Sequence, residues 1–157
     1  MEVWRPGAGA AQKQRQAQHV LYQLRGGTPQ LLHLFPPAEQ AWIGWYAAAQ
    51  GFTGYLRWAY NSWVQHPVQD SRFRTWPAGD TYQIYPGPLT SIRFEKLVEG
   101  IQAFEKVRLL RREFSRTGNQ AKLAELDKVL AEFELEKLKS SPAAQMVEKA
   151  KSAINSL

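Results

Sequence analysis

The sequence predicts a helix-rich α/β protein. Three observations predict it. Aromatic residues recur at three- and four-residue spacing in PPAEQAWIGWYAAAQGF, residues 36–52. An alternating stretch, GYLRWAYNSW at 54–63, follows after a glycine. From residue 91 to the end the pattern is amphipathic and helical. Helix, short turn, strand is the order of an α/β unit in which the strand packs beneath the helix.

Each element follows from local chemistry. Pro36 and Pro37 break the preceding segment and open a helix carrying Trp42, Trp45, Tyr46 and Ala49, and Gly51 ends it. In GYLRWAYNSW, Tyr55, Arg57, Ala59 and Asn61 would point one way and Leu56, Trp58, Tyr60 and Ser62 the other. Neither face is purely apolar, so the stretch is either an aromatic core with polar handles or part of a recognition surface. Residues 64–88 form a long loop rich in Pro, Gly and Asp around a short alternating strand, TYQIY. Such loops either cover a core or carry function.

The helical part begins at SIRFEKLVEGIQAFEKVRLLRREFSR, where Phe94, Leu97, Val98, Ile101, Phe104 and Val107 make one stripe. Glu95 and Glu99 early, and Arg108, Arg111, Arg112 and Arg116 late, suit the helix dipole. Gly118 ends this helix, and Asn119 caps a second that carries Leu123, Leu126, Leu130 and Phe133 to about Lys139. Ser141 and Pro142 start a third with Val147, Ala150, Ile154 and Leu157. Residues 1–34 pair a Gly/Ala-rich opening with a Gln-rich stretch and the breaker RGGTPQ. Their hydrophobic pattern is poor, and an irregular segment is expected there. The chain thus divides into 1–34, 35–117 and a helical appendage, 118–157.

Composition removes several function classes. With no cysteine there is no disulfide, thiolate zinc site or Cys nucleophile. His19, His33 and His66 lack the i, i+4 spacing of a helical metal pair, so neither metal nor cofactor is expected. The net charge of +6 invites a nucleic-acid reading. Its distribution argues against one. Residues 1–38 hold four Lys and Arg against Glu2, residues 39–90 hold three against three, and residues 91–157 hold thirteen against ten. A single-strand binder sets its rings in a basic groove, whereas here the aromatic segment is the neutral one. No apolar run approaches the roughly 20 residues that span a bilayer, and the first residues show no apolar core with a small-residue cleavage site.

Chemistry by these residues alone is poorly supported. Between residues 40 and 90 the only carboxylates are Asp70 and Asp80, and Asp80 sits where an Asp satisfies turn amides. No Gly-flanked serine elbow and no phosphate-cradling glycine loop occurs. Binding fares better. Thirteen of the nineteen aromatic residues lie between Phe35 and Tyr85, interleaved with Arg57, Asn61, Arg72, Arg74 and Asp80. Sugars present apolar C–H faces ringed by hydroxyls, and a site for them wants flat rings beside hydrogen-bonding side chains. The helix tryptophans Trp42 and Trp45 suit a core, which leaves Trp58, Tyr60, Asn61 and Trp63 as the candidates.

Three motifs, PPAEQAWIGWYAAAQGFTGYLRWAYNSW, DSRFRTWPAGDTYQIYPGP and SIRFEKLVEGIQAFEKVRLLR, closely resemble in order the C-terminal part of the catalytic domain of glycoside hydrolase family 123. The characterised members of that family are β-N-acetylgalactosaminidases. The resemblance runs from about Phe35 to the end; residues 1–34 do not share it, as if a truncated product had acquired a wrong start. It implies a partial (β/α)8 barrel, with GYLRWAYN as its last strand and residues 35–117 as its last units. It also implies substrate-assisted hydrolysis, in which the 2-acetamido group attacks the anomeric carbon while an adjacent Asp-Glu pair orients it and donates the proton. No adjacent Asp-Glu occurs in this chain.

The expected function is therefore the C-terminal fragment of such a hydrolase, supplying a sugar-cleft wall and inactive alone. Trp58, Tyr60 and Asn61 would line the cleft, with Arg57, Trp63 and Asp80 as second choices. The partner is an N-acetylhexosamine-containing glycan. The alternative is a non-catalytic carbohydrate-binding or interaction module. Open strand edges would also favour self-association.

Overall fold

The computed structural model describes residues 36–55, 59–70 and 82–157. Among these it forms five helices: α1 (Ala38–Gln50), α2 (Ile92–Arg116), α3 (Gln120–Leu130), α4 (Leu135–Ser140) and α5 (Ala143–Asn155). The expected caps and stops at Gly51, Gly118 and Asn119 are found, and Ser91 adds a cap at the start of α2. Gly51 closes α1 in the left-handed region at φ 67°, where a side chain would be strained. The Ser91 hydroxyl accepts from the Phe94 amide at 3.1 Å to start α2. Gly118, at φ 68°, turns the chain after α2, and the Asn119 side chain accepts from the Lys122 amide at 3.1 Å to start α3.

Among the described residues the α/β order and the partial (β/α)8 barrel are not found; residues 56–58 of the expected last strand lie outside them. Among the described residues no strand ladder forms, and pairing is limited to two isolated antiparallel bridges, Asn61 with Tyr82 and Ile84 with Thr90. Alternation of side chains makes a segment suited to a sheet, but a ladder also needs a partner in register over several residues. Pro86 and Gly87, the latter at φ 79°, make the turn that the Ile84–Thr90 bridge closes, and Asn61–Tyr82 is a separate single pairing. The open strand edges expected to drive self-association are thus absent among the described residues.

A second correction concerns α2. Its buried residues are Gly100, Ala103, Val107 and Phe114, whereas Ile101 is 54% exposed and Phe94, Leu97, Val98 and Phe104 are only partly covered. The helix chose its small residues for the contact. A Cβ added at Gly44 of α1 would stand 2.0 Å from the Gly100 carbonyl oxygen, and one added at Gly100 would stand 2.8 Å from that of Gln40. Glycine at both positions lets the two backbones touch. The face of α2 is fixed by that approach: of the predicted stripe Val107 is buried on it, Ile101 is turned to the surface, and the other large apolar residues are partly covered.

On its other side α1 meets the C-terminal helices. Trp45 stacks on Phe133 with ring centroids 5.2 Å apart, and Trp42 stacks on Tyr46 at 5.0 Å. Both tryptophans are fully buried, as the core reading of the helix stripe expected. Residues 118–157 are no separate body, since Leu126, Leu130, Phe133, Val147 and Ile154 lie in the same cluster as Trp42 and Trp45.

The predicted helix to about Lys139 is broken at residues 131–134 with no Gly or Pro to mark it. Phe133 leaves the helix there to be fully buried against Trp45, which is worth about 1.5–3 kcal/mol. The turn keeps backbone bonds such as Ala131 N–H to Asp127 O and Phe133 N–H to Leu130 O, so little is lost. Lys151 of α5 reaches Glu99 of α2 at 3.0 Å, and Arg111 of α2 reaches Asp127 of α3 at 2.6 Å. Burial opposes ionisation of Glu99, but Lys96 and Lys151 together hold its carboxyl below the usual range.

Replacing Gly44 by Ala is expected to cost about 3 kcal/mol or more, the top of the overpacking range of about 1–3, because the clash is with backbone. Gly54→Ala, with nothing within 4 Å of the new methyl, is expected to leave stability within about 0.5 kcal/mol. Urea denaturation of the two variants beside the parent chain checks both.

Candidate functional site

Of the six sequence-derived candidates, the structure describes Tyr60, Asn61 and Trp63; Arg57, Trp58 and Asp80 lie outside the described residues. The three described ones sit on one loop and face the segment 82–91. One bridge, Asn61 with Tyr82, and three hydrogen bonds join the loop to this segment, and a fourth bond ties the segment to the start of α2. The Gln83 amide donates to the Tyr60 carbonyl at 3.1 Å, and Trp63 Nε1 donates to the Ile84 carbonyl at 2.8 Å. The Val64 amide donates to the Tyr82 hydroxyl at 3.2 Å. Ser91 Oγ donates to the Gln83 carbonyl at 2.7 Å, and the same oxygen caps α2. The loop is therefore fixed to the N-terminus of the helix that carries Gly100.

The candidates differ in what they can offer a ligand. Tyr60 is 40% exposed, with its ring edge-on to Phe94 at 6.1 Å, and Asn61 is exposed beside it. Trp63 is half-buried and its indole N–H is spent on Ile84, which makes it a tie between loops. Behind them stand the rings of Tyr82, fully buried, and Tyr85, 5.5 Å apart.

Sequence reading missed Gln83. It is fully buried, and neither Oε1 nor Nε2 has a hydrogen-bond partner. An amide buried unpaired costs about 1–3 kcal/mol on mutational scales. In the alternation of TYQIY a Gln reads as the outward, solvated residue, so the pattern itself points the wrong way. No signal short of burial would have found it.

Among the described residues no three or more His, Asp or Glu side chains gather as a metal site. No described helix is long and apolar enough to cross a membrane. Glu39, in the first turn of α1, is a further titratable group to weigh, since burial pushes its carboxyl from 4.5 up to about 7. The amides at the helix start favour its ionised form and work against that rise.

Across the sequence, the profile of glycoside hydrolase 123, catalytic domain, matches residues 4–110. The chain belongs to this family. The match holds α1, the loop with Tyr60, Asn61 and Trp63, the segment 82–91 and most of α2. It begins upstream of the Phe35 limit drawn from the three motifs, taking in most of residues 1–34, and it stops before α3. No curated protein matches the chain. Membership in family 123 makes this a glycoside hydrolase sequence and ties it to carbohydrate metabolism.

Glu39 gives a pH dependence with a defined sign. Its folded pKa is raised, so its ionisation costs no stability below about pH 4.5 and costs progressively more up to about pH 7. Glu39→Gln is expected to melt at the parent's temperature at pH 4 and above it at pH 8, as followed by circular dichroism.

Proposed function

We propose that this chain is the C-terminal section of a family 123 glycoside hydrolase, supplying one wall of a cleft for an N-acetylhexosamine-containing glycan, and that it does not cleave the glycan alone. The observation that carries the proposal is in the sequence. Within a chain that belongs to the family, no Asp adjoins a Glu. In substrate-assisted hydrolysis the acetamido oxygen is the nucleophile, so the protein must hold that group against the anomeric carbon and protonate the departing oxygen. Both tasks fall to the missing pair.

What supports the cleft wall is the surface beside α2. Tyr60 offers an exposed ring for the apolar face of a sugar, and Asn61 next to it offers an amide for hydroxyls. Trp58, Arg57 and Asp80 complete the proposal from sequence. The loop with Tyr60 and Asn61 is tied to the start of α2 through Gln83 and Ser91, which keeps these side chains on one surface.

The purified chain is expected to bind N-acetylgalactosamine saturably and to release no more chromophore from a chromogenic N-acetylgalactosaminide than buffer does. Turnover abolished by a change in this chain would overturn the inactivity. A cooperatively melting chain that binds no sugar would overturn the cleft wall, and binding without any family-type activity in a full-length relative would favour the stand-alone binding module.

A further inference from the structure

Gln83 follows Tyr82, whose bridge to Asn61 joins the candidate loop to the segment leading into α2, and precedes Ile84, whose bridge to Thr90 closes that segment on itself. Its backbone is fully used, since its N–H donates to Tyr60 and its carbonyl accepts from Ser91. The side chain is the opposite case, being wholly buried with both polar atoms unpaired. Among the described residues, five leave a buried side-chain polar atom without a partner, namely Gln40, Trp42, Trp45, Tyr55 and Gln83. The two indoles belong to the aromatic core, where ring burial outweighs one N–H, and Gln40 and Tyr55 each leave a single oxygen unpaired. Gln83 alone among them leaves both ends of a side-chain amide unpaired, and its own backbone N–H donates to the Tyr60 carbonyl.

We propose that Gln83 is a sugar-binding residue whose amide takes two neighbouring hydroxyls of the glycan, Oε1 accepting from one O–H and Nε2 donating to the oxygen of the other. This rests on the reading that the loop with Tyr60 and Asn61 lines a sugar cleft. A hydroxyl is donor and acceptor at once, so a vicinal pair satisfies both ends of a planar amide with one ligand. Methionine would fill the same space without a polar atom, so the amide is an expense to the free fold that binding recovers. Access does not require a sheet to open. The loop and the segment 82–91 are joined by one bridge and three hydrogen bonds, and local opening of such a junction is far easier than parting a ladder.

The test uses the full chain with Gln83→Met, thermal melting and titration with N-acetylgalactosamine. Expected are a melting temperature a few degrees above the parent's and at least a tenfold loss of affinity. In the parent chain, the side-chain NH2 resonances of Gln83 are expected to shift on titration, a measurement that stands even if the variant does not fold. Parental affinity in Gln83→Met, a lowered melting temperature, or an unmoved NH2 pair in a chain that binds sugar would each overturn the inference while leaving the cleft reading intact. A folded parent chain that binds no sugar would remove both.

Discussion

The contact between Gly44 and Gly100 is the constraint on which the rest of the structure depends. Two helices whose backbones touch have almost no freedom to rotate, because any residue but glycine at the crossing collides with main chain. That fixes which face α1 turns to α2, and hence which face it turns elsewhere. Trp42 and Trp45 are left facing Phe133 and the C-terminal helices, and one aromatic cluster closes the fold. The same crossing sets the direction of α2, whose capping residue Ser91 holds Gln83 and, through it, the loop of Tyr60. A close approach of two glycines thus positions side chains far from either.

The aromatic richness that first suggests a sugar surface divides into two populations. The helix tryptophans are core residues that leave their indole N–H groups unpaired, and their contribution is stacked area. The loop aromatics are held by single polar ties, as at Trp63, or left at the surface, as at Tyr60. Composition cannot separate these populations, because a stacked core ring and a stacking platform for a ligand are the same side chain. What separates them is whether a neighbouring helix has already taken the face.

How far the sequence could be read follows from which signals are local. Helix ends are legible at Gly51, Gly118 and Asn119, since caps act within a few residues. The barrel expectation came from likeness and alternation, and the described residues show only single bridges, because register with a partner is not a local property. The stripe on α2 was misread because bulk marks an apolar face, whereas a close crossing selects its smallest residues, Gly100 and Ala103. The break before α4 was illegible because its cause, Phe133 seeking Trp45, is tertiary. In the site, Tyr60, Asn61 and Trp63 were legible as a cluster and the structure keeps them on one loop. Gln83 was not, since alternation placed it outward and only packing shows it enclosed.

Backbone contact at the glycine crossing organises the fold. The most direct test is a nuclear Overhauser measurement between the α-protons of Gly44 and Gly100, since a Cβ built on Gly44 would lie 2.7 Å from the Gly100 Cα. The account predicts a strong cross-peak in the parent chain, accompanied by ring contacts between Trp45 and Phe133. A folded chain with the Trp45–Phe133 contacts present and no Gly44–Gly100 cross-peak would contradict it.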